Sequence, residues 1–262
     1  MQDFKIGIIT DNLLLSPYEA LKDAAAMGID GVQLYAKDQM APENLSVSDR
    51  KKYRDTVKGY GLEISALCCS LSRAFKQSPP DESYIRAALD TIDLAYDLGT
   101  NIVTTHIGKI PADKTSAQYS ERLEALTRVG EHALSHGVTI ACETGTDQPK
   151  AMAELIDKLP KNSFAINFDP ANLVMLLNLD PVKAVYELKD YIVHTHVKDG
   201  VYVDGSEICE KLPGQGDVNF KSYLAALKSI GYRGYLTVER EAGDDRNSDV
   251  LQAVNYIKSM IK

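Results

Sequence analysis

Four side chains able to bind a cation lie in or at the ends of four successive runs rich in Ile, Val and Thr: Glu143, Asp169, His196 and Glu239. Three carboxylates gathered without compensation repel one another and resist ionising. A divalent cation removes that conflict, and three oxygens with one imidazole nitrogen make a mixed, fairly hard ligand set. Mn2+ or Mg2+ suits such a set best, and Zn2+ and Co2+ also fit it. One divalent ion with open positions would polarise a substrate carbonyl and stabilise an enediolate. Glu143 and Glu239, on the outer two of the four runs, would be the catalytic pair that removes and returns protons. Any one acid at the end of a strand is commonly a helix cap or a solvated loop residue. Four ligand-type residues on four consecutive runs are poorly explained that way.

The elements that must position these groups repeat along the chain. Apolar β-branched runs predict strands over 6–10, 31–35, 63–69, 101–107, 139–144, 164–169, 192–198 and 235–239. Helical periodicity fills the gaps: over 84–98, Ile85, Ala88, Leu89, Ile92 and Ala95 share one face. Gly28, Gly61, Gly99 and Gly137 follow apolar helices and precede strands, where helix C-terminal caps belong. Side chains alternate along a strand, so parity assigns faces. Glu143 shares its face with Thr139 and Ala141, Asp169 with Ala165 and Asn167, His196 with His194 and Lys198, and Glu239 with Tyr235 and Thr237. The aliphatic residues fall on the opposite face each time, which puts the polar set inside.

Eight strand–helix units of roughly thirty residues predict a single α/β domain, a (β/α)8 TIM barrel spanning 1–262, with its site at the C-terminal strand ends. An open doubly wound sheet would carry fewer strands and a Gly-rich first turn. The first strand instead ends Ile9-Thr10-Asp11-Asn12. The chain has 262 residues, 44% hydrophobic and 25% charged, and its 29 Lys and Arg against 37 Asp and Glu give a net charge of −8. That balance disfavours nucleic acid and anionic membranes as partners. No run reaches the ~18 apolar residues of a membrane span, and Met1-Gln2-Asp3-Phe4-Lys5 lacks the pattern of a signal peptide. Four cysteines, with Cys68 and Cys69 adjacent, form neither a disulfide framework nor a CxxC pair. The expectation is a cytoplasmic enzyme, with a homo-oligomer left open.

Several segments carry a family resemblance: Ile-Ala-Cys-Glu143-Thr-Gly, Asn-Phe-Asp169-Pro-Ala-Asn, His194-Thr-His196-Val-Lys-Asp199-Gly, Pro213-Gly-Gln-Gly-Asp-Val-Asn-Phe220 and Leu-Thr-Val-Glu239-Arg-Glu. In this order they resemble the xylose-isomerase-like barrel superfamily, in its branch of sugar phosphate isomerases and epimerases. The resemblance covers most of the chain from about the fourth strand on. It implies that Glu143, Asp169, His196 and Glu239 are metal ligands and that the two glutamates transfer protons. The implied partner is a small sugar or sugar phosphate. His106 is expected near the substrate, and Lys198 either holds the ligand or pairs with Asp199. Asn172 joins His106 and Lys198 as a substrate-binding candidate. Arg73, Arg240 and Arg246 are candidate phosphate contacts, with surface roles as the simpler reading. His132 and His136 are expected to face solvent or cap their helix, and Glu241 stands too far past the strand to displace Glu239.

Two departures matter. Ketose 3-epimerases of this family carry a histidine three residues after the aspartate ligand, where this chain has Asn172, and an arginine six residues after the histidine ligand, where it has Tyr202. Both leave the substrate open. A dehydratase or lyase of the inosose or dehydroshikimate kind would use the same site and first step. A non-catalytic sugar-binding barrel is a further alternative. An abasic-DNA endonuclease shares the fold but needs more histidines than the five present, and it fits poorly with the charge of −8.

Overall fold

The computed structural model describes residues 4–204 and 208–261; Met1–Asp3 of the N-terminal segment read above lie outside them. Ten strands are present among the described residues: β1 (Lys5–Ile9), β2 (Gly31–Tyr35), β3 (Glu63–Cys69), β4 (Ile102–Thr105), β5 (Thr139–Glu143), β6 (Phe164–Phe168), β7 (Ile192–Val197), β8 (Asp199–Val201), β9 (Cys209–Lys211) and β10 (Tyr235–Val238). Eight of them pair in parallel and close in the order β1-β10-β7-β6-β5-β4-β3-β2. The helices are α1 (Pro17–Ala26), α2 (Val47–Gly59), α3 (Glu82–Leu98), α4 (Ala117–Ser135), α5 (Pro149–Ile156), α6 (Pro170–Leu177), α7 (Pro181–Glu187), α8 (Phe220–Ser229) and α9 (Arg246–Met260). This is the (β/α)8 barrel expected from the repeat. The predicted fourth strand is trimmed at both ends, so His106 lies just beyond β4.

Helix α3 shows how a local sequence settles an element. Asp81 caps its first turn by accepting from the Ser83 N–H, and Gly99 ends it with φ 82. Ile85, Ala88, Ile92 and Ala95 are buried against the barrel, each large aliphatic contributing roughly 1.5–3 kcal/mol through burial. Gly28, Gly61 and Gly137 also have positive φ, as the capping reading requires.

Strand parity holds as well. Ile140, Cys142, Ile166, Phe168, Val197, Leu236 and Val238 are buried beneath the helices. The inner face carries a polar network: Gln33 Nε2 donates to Thr104 Oγ1 (3.2 Å), and Gln33 Oε1 lies 2.9 Å from His194 Nε2, which also meets Thr237 Oγ1 at 3.0 Å. Satisfying these groups against one another offsets the cost of burying them.

The sequence pattern did not reveal the antiparallel ribbon of β8 and β9. Its first residue explains the Pro-Gly-Gln-Gly-Asp-Val segment. The buried Asp199 carboxylate accepts from the N–H groups of Gly200 (2.8 Å), Gly214 (2.8 Å), Gly216 (2.9 Å) and Val218 (3.1 Å). A Cβ on Gly216 would stand 2.2 Å from Asp199 Oδ1, so only glycine permits the clamp. Asp199 therefore braces the rim, and the expected Lys198–Asp199 pairing gives way to other partners of Lys198.

Candidate active site

Glu143 ends β5, Asp169 follows β6 as the N-cap of α6, His196 lies near the end of β7, and Glu239 follows β10. Barrel closure puts β5, β6, β7 and β10 side by side, and all four side chains are buried at one rim. His196 Nδ1 lies 3.0 Å from Glu239 Oε2, 3.5 Å from Asp169 Oδ2 and 3.7 Å from Glu143 Oε1. One donor atom from each of the four residues lies within 4.8 Å of the others. Yet neither His196 Nδ1 nor Asp169 Oδ2 has a hydrogen-bond partner among the described residues, although both are buried. Buried polar atoms are rarely left so. Two orphaned atoms of ligand type, converging with two more carboxylates, fit a divalent cation by chemistry and by placement.

The surroundings orient this set. Gln33 Oε1, which can only accept, lies 3.3 Å from His196 Nε2 and favours a proton there, directing the Nδ1 lone pair at the carboxylates. Asn167 Nδ2 stands 3.2 Å from the same nitrogen and donates to Glu143 Oε2 at 3.5 Å, while its Oδ1 has no partner among the described residues. Asp169 Oδ1 is fixed by the Asn172 N–H (2.9 Å), leaving Oδ2 directed inward. Asn172 Nδ2 donates to Glu143 Oε1 (2.9 Å), and Lys198 Nζ donates to Glu239 Oε2 (3.1 Å) and Glu241 Oε2 (2.6 Å).

Electrostatics follow from this crowding. Burial alone would raise the Glu143 and Glu239 carboxyls; His106 and His196 hold the first below its usual value, and His196 and Lys198 hold the second well below. Burial pushes Asp169 up to about 6. Burial also disfavours charge on His196, but Glu239 and Glu143 outweigh it and raise its pKa well above the ordinary histidine value. His194 has no such carboxylate and is pushed down to about 3 by burial. The rim thus calls for positive charge among its acids, supplied either by a proton on His196 or by a metal ion.

A cavity of about 410 Å³ opens onto the set and is lined by the expected substrate-binding residues His106, Lys198 and Asn172, together with Arg73. His106 is half exposed, with Nε2 3.5 Å from Glu143 Oε2. Gln33 and Tyr35 are among the lining residues that carried no sequence signal, and the Tyr35 hydroxyl donates to Glu239 Oε1 at 3.5 Å. Arg240 departs from both readings made of it. It is buried rather than on the surface, and its guanidinium is held by Glu210 (2.7 Å) and Asp249 (2.9 Å), so it is not available to a phosphate. Arg246 begins α9, and Glu241 is exposed and bound to Lys198, outside the four-residue cluster. His136 caps α4 as expected, but it and His132 are half buried against Asp93 rather than facing open solvent.

The chain belongs to the xylose isomerase-like TIM barrel family, which it matches over residues 21–260. A curated relative, the putative L-ribulose-5-phosphate 3-epimerase SgbU of Haemophilus influenzae, is 23% identical over 98% of this chain and 96% of its own. Inosose dehydratase of Geobacillus thermodenitrificans is 23% identical over 74% of each chain. A shorter match, 26% identical, to uncharacterized protein MJ1311 of Methanocaldococcus jannaschii spans 58% of this chain and 55% of that relative. Among solved structures, a xylose isomerase domain protein from Planctomyces limnophilus superposes with a TM-score of 0.85 at 24% identity, covering 98% of this chain and 96% of that one. That likeness establishes the shared fold. Among the described residues, no helix is long and apolar enough to cross a membrane.

Proposed function

We propose that the protein is a divalent-metal-dependent isomerase or epimerase of a small sugar or sugar phosphate. The observation that carries this reading is the convergence of Glu143, Asp169, His196 and Glu239 with Asp169 Oδ2 and His196 Nδ1 unpartnered among the described residues. The four side chains would hold one ion, Mn2+ or Mg2+ by the hardness of the set, with Zn2+ and Co2+ as weaker fits. A bound ion would polarise the substrate carbonyl and so acidify the neighbouring C–H.

The chain's own residues account for the proton movements. Glu143 on β5 and Glu239 after β10 flank the strands of Asp169 and His196, so two carboxylates face the substrate from separated positions. One takes the proton from carbon and the other returns a proton, which inverts a centre or moves the carbonyl according to where it is delivered. Both are held in the ionised form a base requires. Lys198 and Tyr35 fix Glu239, and Asn172 fixes Glu143. His106 and Arg73 are left at the cavity wall to meet hydroxyl or phosphate oxygens of the ligand.

The test is deuterium incorporation from D2O by metal-loaded protein into a panel of ketopentoses, ketohexoses and their phosphates. Exchange is expected at a carbon next to the carbonyl, and Glu143→Gln and Glu239→Gln should each slow it by about 10²–10⁴-fold. Absence of exchange across the panel would refute the reading. A second reading, supported by the inosose dehydratase relative, keeps the first proton abstraction but expels a β-hydroxyl. It would show itself as a product with enone absorbance. Sugar binding that survives both Gln variants, without turnover in the parent, would instead indicate a non-catalytic barrel.

A further inference from the structure

We propose that Asp93, His132 and His136 form a second metal site, for Zn2+, joining helices α3 and α4 at the end of the barrel away from the active-site rim. The location follows from connectivity: α4 ends at Ser135 and the chain then enters β5 at Thr139, whereas Glu143 lies at the far end of that strand. His132 and His136, four residues apart, share one face of α4, with ring centroids 4.5 Å apart. Asp93 on α3 faces both, its Oδ1 2.6 Å from His132 Nε2 and 3.4 Å from His136 Nε2. One donor atom from each residue lies within 4.8 Å of the other two.

The hydrogen bonds around His136 decide which of its nitrogens is free. Nδ1 lies 3.0 Å from the His132 carbonyl oxygen, which can only accept. It also lies 3.0 Å from Ser135 Oγ, whose proton is already donated to that same carbonyl at 2.7 Å, so this oxygen too is left to accept. Nδ1 must therefore carry the proton, and the neutral ring presents the Nε2 lone pair to the Asp93 carboxylate. In the neutral ring an acceptor then faces an acceptor at 3.4 Å, and a metal ion or a second ring proton between them makes the contact favourable. This carbonyl–imidazole arrangement is the one that orients metal-ligating histidines.

The separations suit zinc. Bond lengths of about 2.0–2.1 Å around a tetrahedral ion put neighbouring ligand atoms about 3.3 Å apart, and the His136–Asp93 separation is 3.4 Å. The His132–Asp93 hydrogen bond at 2.6 Å has to give way and open by about 0.7 Å. The partly exposed Asp93 side chain can turn to allow this, and water would complete the coordination. Two imidazoles with one carboxylate favour zinc over Mg2+ or Mn2+, so this site differs in preference from the rim. Its effect would be structural, cross-linking two outer helices.

Equilibrium dialysis against Zn2+ tests the proposal, counting ions bound to the parent, to a His132→Asn/His136→Asn double variant and to Asp93→Asn. All three keep the rim residues, so the rim contributes equally to each count. The parent should bind one more Zn2+ per chain than either variant at the same free zinc. It should also show a zinc-dependent rise in melting midpoint that the variants lack. Equal counts in parent and double variant would overturn the proposal and leave a proton as the cation between His136 and Asp93. If the double variant fails to fold, Asp93→Asn, which leaves both imidazoles in place, decides the matter: a parental count overturns the site.

Discussion

Replacing Gln33 by Met keeps a side chain of similar length on the inner face of the barrel while removing the acceptor Oε1. That atom lies 3.3 Å from His196 Nε2 and 2.9 Å from His194 Nε2. His194 retains Thr237 Oγ1 at 3.0 Å, so the loss falls on His196. Its Nε2–H becomes a buried donor without a firm acceptor, which costs the fold about 1–3 kcal/mol. More tellingly, nothing then holds the ring so that Nδ1 meets Glu143, Asp169 and Glu239. Removing such a supporting group weakens metal affinity about 10–100-fold, or about 1.4–2.8 kcal/mol. The assay is a chelator-competition titration of Mn2+ on the parent, Gln33→Met and a Thr237→Val control. Thr237 lies beside His196 on the neighbouring strand, but its hydroxyl hydrogen-bonds His194, so the control should bind Mn2+ as the parent does. Parental affinity in Gln33→Met would refute the assignment of Gln33 as the group that orients His196.

Two further outcomes follow from the same contacts. Because Glu239 and Glu143 raise the pKa of His196 well above its ordinary value, the ring is protonated at neutral pH when no metal is bound. Metal must displace that proton, so affinity should weaken as pH falls from about 8 to about 6. Calorimetry in buffers of different ionisation enthalpy should count close to one proton released, and binding without proton release would contradict the assignment. Asp199→Ala should lower stability by roughly 1–6 kcal/mol, since one or two of the four N–H groups it accepts from would be left buried at ~1–3 kcal/mol each. A urea-unfolding midpoint equal to the parent's would show that the clamp around Pro213–Phe220 contributes little.

The convergence of the four candidate residues was legible in the sequence because barrel geometry is periodic. Alternation along the strands places Glu143, Asp169, His196 and Glu239 inward, and the repeat makes their strands neighbours. What was hidden depends on contacts between positions far apart in the chain. Gln33 reads as one polar residue in an apolar strand, and its role appears only when closure brings it to His194, 161 positions later. Lys198 shares the inward parity of His196, but its pairing with Glu239 and Glu241 depends on how the chain leaves β10. Arg240, one residue beyond Glu239, could not be recognised as buried without Glu210, which arrives on the three-residue strand β9. Strands that short leave too few residues for alternation to register. Asn172 was legible as a departure from the family pattern; the structure adds that its amide holds Glu143.

The central claim is that one divalent ion sits among four named side chains, and anomalous scattering from Mn2+-soaked crystals tests it most directly. A single strong peak at the rim should lie about 2.0–2.3 Å from His196 Nδ1 and from carboxylate oxygens of Glu143, Asp169 and Glu239. Asp169→Asn, which removes one ligand charge, should weaken the peak or abolish it. The contrary result would be a rim with no peak at saturating Mn2+, His196 remaining in direct contact with the three carboxylates as an imidazolium.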